Sequence, residues 1–381
     1  MSDVEKNSGT HKPEFDGKWV RLGDVVKKAK SARCGSDSYP ILSITMHDGI
    51  VEQASRFKKS IASRDTGNYK VVEPGQLVVG FPIDEGVIYV QNFNYPGIMS
   101  PAYDVWDIDS SRVDPSYLEL ALHTPQSMDY YKSNLRGTTA RRRSLPTNTL
   151  CDLTFPLPSL ENQRIVVKRM SMIATLLDDA SSKLSALDDL VKSQFVEMFG
   201  DPNKTQCATT LEDAFFIRDD LRKPLSGKER ESMKEGVLYP YYGANGVVDW
   251  INQYLIDTNA LCFAEDCGSY GPDEPTAYII REKAWVNNHA HLLLPRVPYF
   301  LEYACSCFRL LDVSRFISGT TRSKMTQAQL KQIEIGIPES ARLKEFADFV
   351  AKVDKLGFDC CREIVCCGVL FSSMSASLLC T

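Results

Sequence analysis

The stretch GTTARRRSLPTNTLCDLTFPLP, residues 137–158, is echoed by GTTRSKMTQAQLKQIEIGIP at 319–338. The apolar positions agree in register. Leu145, Leu150, Leu153, Phe155, Leu157 and Pro158 recur as Met325, Leu330, Ile333, Ile335, Ile337 and Pro338, each shifted by 180. So long a period indicates two copies of a domain-sized unit, because solenoid repeats are several times shorter.

Other signals place the two copies. WVRLGDVV at 19–26 and TTLEDAFF at 209–216 share Leu-x-Asp followed by apolar residues, where each copy should open. Between 39 and 106, YPILSITMHDGIVEQ and NYKVVEPGQLVVGF alternate or run apolar between Gly and Pro, which is strand behaviour. Residues 237–295 read the same way in GVLYPYYGANGVVDWI, ALCFAED and AYIIREKAWVNNHAHLLL. Two mostly β globules are expected. After each GTT turn the pattern predicts a short helix and then a strand, with TQAQ at 326–329 as a capping box and Pro146 at a first helical position.

A long helix should follow each globule. Val166, Ile173, Ala180 and Leu187 recur every seven residues, interleaved with Met170, Leu177, Leu184, Val191 and Met198. The next member of the first series, Gln194, is the one polar residue of the ten, and GDP at 200–202 stops the pattern. The shift of 180 gives Phe346, Val353, Cys360, Cys367 and Met374, with Val350, Gly357, Ile364 and Phe371. The fold class is therefore α+β, with two long helices pairing antiparallel as a coiled coil under pseudo-twofold symmetry. About 38 residues make a helix of roughly 57 Å, so a rod with a globule at each end is expected. Gly357 is its weak spot, since a mid-helix Gly costs about 1 kcal/mol relative to Ala.

Bulk properties agree with a globular chain of two or three domains: 381 residues, 43% hydrophobic and 24% charged. The opening MSDVEKNSGTHKPEF is polar and IVCCGVLF is too short to span a bilayer, so a cytoplasmic location without membrane contact is expected. Twelve Cys in such a chain read as reduced thiols. Cys360 and Cys367 then serve as small seam residues rather than metal ligands.

A net charge of −5 argues against a uniformly basic nucleic-acid binder but not against local basic patches. Five Lys or Arg and no acid lie between Lys132 and Arg143; four and no acid lie between Arg315 and Lys331. Thr hydroxyls and backbone N–H groups beside such cations hold phosphate oxygens. Thr138, Thr139, Arg141, Arg142, Arg143, Thr320, Thr321, Arg322 and Lys324 are the first DNA-contact candidates. Tyr242, Gly243 and Asn245 in YYGANG form a second tier, because Asn can pair with adenine edges and Tyr can stack; the alternative is a tight Gly-Asn turn. SRFKKSIASR at 55–64 is a third basic run.

No phosphate-binding loop, methyltransferase signature or glycine-rich cofactor loop is found. His289 and His291, near Cys262 and Cys267, suggest a zinc site, but Cys-x2-Cys pairs are missing and hydrogen-bonded structural histidines are the simpler reading. Glu265 and Asp266 could bind a metal for nuclease chemistry, though no lysine stands at the expected spacing.

The order globule, long helix, globule, long helix resembles the specificity (S) subunit of type I restriction–modification systems. YPILSITMHDGIVEQ, NYKVVEPGQLVVG and MSPAY look like one class of its first target recognition domain. YPYYGANGVVDWI, LCFAEDCGSYG and WVNNHAHLL look like a class of the second, and FPLPSLENQRIV is similar to the start of the central helical region. The likeness runs from about residue 17 to 376. It implies a first target recognition domain at 17–158, a helical spacer at 159–202, a second recognition domain at 203–338 and a second helical spacer at 339–381, while residues 1–16 depart from it as an unassigned polar extension. It further implies a non-catalytic subunit reading the two halves of a split double-stranded DNA target. Helix residues Val166, Ile173, Leu177, Leu184, Leu187, Val350, Val353 and Ile364 would serve the docking of two methyltransferase subunits, which restriction/translocase subunits join. S-adenosylmethionine, ATP and magnesium would belong to those partners, and this chain would bind no cofactor or metal. The competing reading is a stand-alone metal-dependent nuclease built on Glu265, Asp266, His289 and His291.

Overall fold

A computed structural model describes residues 17–56, 66–135, 145–204, 209–266, 270, 276–317 and 323–377. The chain divides into two compact units. The first runs up to Asp178 and takes in the stretch from Glu363; the second is Asp179–Arg362. The division falls inside both long helices.

The first unit contains β1 (Lys18–Arg21), β2 (Val26–Lys28), β3 (Leu42–Ile44), β4 (Ile50–Glu52), α1 (Gln53–Arg56), β5 (Lys70–Val72), β6 (Leu77–Val79), β7 (Ile88–Val90), β8 (Gly97–Met99) and β9 (Asp104–Ile108). It continues with α2 (Pro115–Leu122), α3 (Pro125–Asn134), α4 (Thr147–Cys151), β10 (Thr154–Leu157) and the start of α5 (Leu160–Phe199). The largest sheet is antiparallel, in the order β2-β9-β6-β7, and β1-β10, β3-β4 and β5-β8 form separate pairs. Helices α2 and α3 do not follow from strand-type patterning. Each is started by a side-chain cap and a proline at N1, Asp114-Pro115 and Thr124-Pro125. They lay Tyr117, Leu118, Leu122 and Tyr131 on the same core as Leu77, Ile88 and Phe155. Gln163, fully buried, ties the first turn of α5 to this unit: its side chain accepts from the Asp114 N–H at 2.7 Å and donates to the carbonyls of Pro158 and Arg112.

The second unit contains the end of α5, then α6 (Leu211–Ala214), β11 (Phe215–Ile217), α7 (Gly227–Glu231), β12 (Tyr239–Gly243), β13 (Gly246–Ile251), β14 (Ala260–Ala264), β15 (Ala277–Ile280), β16 (Trp285–Val286) and β17 (Ala290–Pro295). It closes with α8 (Phe300–Leu310), α9 (Gln327–Leu330) and most of α10 (Ser340–Ser377). Its sheets run β11-β17-β14-β15 and β13-β12-β16, antiparallel except for β12 with β16. The fully buried run Ala260–Ala264 forms the floor, and α8 packs Phe300, Ala304, Cys307 and Phe308 over it.

The units close in the same way. In the first, β1 pairs with β10, and the Leu22 N–H donates to the Leu153 carbonyl at 2.8 Å. In the second, Thr210 bridges Glu334 and the Leu211 N–H donates to the Ile333 carbonyl at 2.9 Å. Short helices α4 and α9 precede these closures as the repeat predicts, and Thr326 with Gln329 forms the capping box. Two details differ. The helix after Pro146 begins at Thr147, so the proline occupies the N-cap, and the second copy's strand shrinks to the one bridge.

Gly200, with φ of +84°, ends α5 as GDP predicts. Within the second unit α5 and α10 lie antiparallel. Phe195 and Phe199 near the end of α5 meet Phe346 near the start of α10, with ring centroids 5.7 and 5.5 Å apart. Further along, a Cβ on Gly357 would lie 3.7 Å from Leu184 and 3.9 Å from Leu187. The seam residues Val166, Ile173, Leu177, Leu184, Leu187, Val350, Val353 and Ile364 are all buried or half-buried. One seam position moves: at the end of α5 it is Phe195, 1% exposed, that faces the core formed with Tyr303 and Phe346. The heptad series had put Gln194 there, but burial by α8 turns the favoured face by one residue. The side chains of Cys367, Phe371 and Met374 lie outside the described residues. Among the described residues no helix is long and apolar enough to cross a membrane.

Candidate nucleic-acid interface

Of the first-tier residues, Thr138, Thr139, Arg141, Arg142, Arg143, Thr320, Thr321 and Arg322 lie outside the described residues, as does much of the run at 55–64. Lys324 is described, and it sits in a polar cluster of the second unit. Its Nζ is 3.0 Å from Glu265 Oε1, and its backbone bridges Asp266. The other oxygen of Glu265 accepts from Arg222 Nη1 at 2.5 Å. Arg222 also lies 3.0 Å from Asp219 Oδ2, and Asp219 accepts from His291 Nδ1 at 2.7 Å. His291 is 1% exposed, and its Nε2 reaches the Met325 carbonyl at 2.9 Å. His289 pairs with Asp266.

These contacts fix the ionisation of the acids. Burial alone would raise Asp219, but the His291 hydrogen bond, the charges of His291 and Arg222 and the Leu292 N–H outweigh it and hold the carboxyl below its ordinary value. Burial likewise opposes ionisation of Glu265, and the bonds from Arg222 and Lys324 reverse it. His291 is thus the hydrogen-bonded structural histidine its sequence context suggests. The acidic pair proposed as a metal site is instead engaged by other side chains: Glu265 by the cations Arg222 and Lys324, and Asp266 by the His289 ring. Among the described residues no group of three or more His, Cys, Asp or Glu is arranged to hold a metal. Asp219 and Arg222, central to this cluster, carried no signal in RDDLRK beyond a charged run.

The second-tier residues sit on the β12–β13 hairpin. Asn245 is exposed at its two-residue turn, closed by Gly246 with φ of +115°. Tyr242 is 8% exposed and points inward. Its ring stacks on Tyr278 at 5.4 Å and its hydroxyl donates to Glu282 at 3.3 Å, while burial, aided by the Glu282 charge, pushes the phenol up to about 12. Gly243 is there for packing: a Cβ would stand 3.0 Å from Val248. Around the hairpin, Val237, Val247, Val248, Trp250 and Tyr254 are exposed.

Comparison with known proteins fits this architecture. Residues 211–362 match the family described as the type I restriction modification DNA specificity domain. A putative type I restriction enzyme specificity subunit S.HindORF215P of Haemophilus influenzae is 29% identical over 128 residues, covering 34% of this chain and 32% of that protein. The aligned segment therefore spans about a third of that relative's length. The S subunit of a type I restriction–modification system from M. genitalium has a similar fold over 96% of each chain, with a TM-score of 0.59 at 14% identity. A chain from a type I R-M system, solved to explain complex assembly and conformational transition, matches over 95% of this chain and 97% of its own, with a TM-score of 0.50 and 14% identity. The second unit thus matches the type I restriction modification DNA specificity domain, and the chain has the fold of the S subunit of such a system.

Proposed function

We propose that the chain is the DNA sequence-specificity subunit of a type I restriction–modification complex. Each unit contributes one target recognition domain, and each domain reads one half of a bipartite double-stranded target, in the manner of paired half-sites. The observation that carries this reading is the duplicated closure, Leu22 to Leu153 and Leu211 to Ile333, and in the sequence a basic GTT stretch precedes Leu153 and Ile333 at a similar distance.

The long helices take the second role, docking two methyltransferase subunits that restriction/translocase subunits then join. Because the seam residues face inward, the large apolar residues left for a partner among the described ones are Ile165, Met172, Leu176, Leu190 and Val196 on α5 and Leu356, Phe358 and Val365 on α10, all exposed. S-adenosylmethionine, ATP and magnesium chemistry belong to the partners, and this chain contributes recognition without catalysis. A stand-alone nuclease has no support, since Glu265 is paired with Arg222 and Lys324 and Asp266 is hydrogen-bonded to His289.

The test is DNA binding by the assembled complex carrying Arg142→Ala or Arg322→Ala. Each should weaken binding to all duplexes and lower the slope of log K against log salt by about one. Unchanged affinity and slope in both variants would contradict the phosphate role.

A further inference from the structure

The segment 324–327, which follows the second basic stretch in the sequence, is stitched to a polar network inside the second unit. The Met325 N–H donates to the Glu265 carbonyl at 2.7 Å, and the Met325 carbonyl accepts from His291 Nε2. Gln327 Nε2 donates to Asp219 Oδ2 at 3.0 Å, the oxygen that also takes His291 and Arg222. Lys324 closes the loop of contacts on Glu265, and Asp219 Oδ1 receives the Leu292 N–H of β17 at 3.2 Å. Arg222, Asp219 and Glu265 are only 12–16% exposed.

Enclosing charges of this kind is unfavourable unless every one is paired, and an apolar plug of equal volume would serve packing as well or better. What a network of directed bonds adds is a single geometry. Here that geometry is imposed on Lys324, Met325 and Gln327, the first of which is two positions from Arg322. Resting on the DNA-reading function above, we propose that Asp219, Glu265 and His291 are positioning residues for DNA recognition. They fix Lys324, Met325 and Gln327, which follow the second basic stretch in sequence, in place before DNA arrives, so that target discrimination does not have to be achieved by ordering these residues on the DNA. Lys324 in this account is a tether, held by Glu265 rather than by phosphate.

The test uses the complete complex with its methyltransferase subunits, a duplex carrying its methylated motif and a random duplex of the same length. Glu265→Gln and Lys324→Met should each reduce the preference for target over random duplex by about tenfold, the effect of losing one charge-assisted hydrogen bond from a binding geometry. The double variant should be no worse than either single one, and the salt slope should stay at its wild-type value. A preference unchanged in Glu265→Gln overturns the proposal. So does a uniform loss on both duplexes with a slope lower by about one in Lys324→Met, which makes that lysine a phosphate contact. If Glu265→Gln does not assemble, Lys324→Met, whose side chain is 46% exposed, decides alone by the same criteria. A wild-type complex with no target preference would instead defeat the DNA-reading function itself.

Discussion

Leu211 donates its backbone N–H to the carbonyl of Ile333 at 2.9 Å, and both side chains are fully buried. Leu22 makes the same bond to Leu153, 180 positions before Ile333, at 2.8 Å. Each pair closes the core of its own unit. Leu153→Ala and Ile333→Ala are therefore expected to cost about 2–5 kcal/mol each. Urea unfolding followed by amide exchange should show the loss of protection confined to the unit that carries the change. Protection lost equally in both units would argue against two separate cores.

Gly357 is the opposite case. It lies inside α10, no clash awaits a side chain, and a methyl would sit at ordinary contact distance from Leu184 and Leu187. Gly357→Ala should stabilise by about 1 kcal/mol through helix propensity and a less disordered unfolded chain. A lower denaturation midpoint would mean that α5 and α10 approach more closely than these distances allow.

Acid should act on the network in the second unit. Asp219 and Glu265 are held below their ordinary values of 3.8 and 4.5. A depressed folded value means the folded state favours the ionised form. Their stabilisation is thus complete above the ordinary values and is lost as pH falls through the lower folded ones. Denaturation between pH 7 and 2 should show a decline beginning below about 4.5, smaller in Glu265→Gln. An identical acid profile in that variant would contradict the ion pairs.

The thiols offer a chemical check. Burial pushes Cys262 up to about 12 and Cys305 up to about 11, whereas Cys361 is exposed. Since the thiolate is the reactive form, iodoacetamide at pH 8 should label Cys361 in the folded protein and reach Cys262 and Cys305 only after unfolding. Mass mapping of the digest reads this directly, and rapid labelling of Cys262 in folded protein would contradict the β14 floor.

Much of the architecture was legible because it rests on periodicity. The 180-residue shift, the strand-rich stretches and the seam of α5 all follow from where apolar residues fall. Helices α2, α3 and α8 were not read, because they lie against β cores, α2 and α3 start on single caps such as Asp114, and α8 starts after Tyr299 with no side-chain cap. Phe195 was missed for a related reason: its burial comes from Tyr303 and Phe346, residues distant in sequence, and a heptad count knows nothing of α8. At the candidate interface, the basic windows were visible as charge without acid. The partners of Lys324 were not, since Asp219, Glu265 and His291 meet only because β17 pairs with both β11 and β14.

The central claim is that two copies of one domain read two half-sequences of DNA. Base-resolution methylation mapping of the host genome with and without this gene tests it most directly. The account predicts a methylated motif of two short specified parts separated by an unspecified gap, lost on deletion and restored by the wild-type gene. A methylation pattern that is the same in both strains, while the partner methyltransferase is expressed and active, would contradict it.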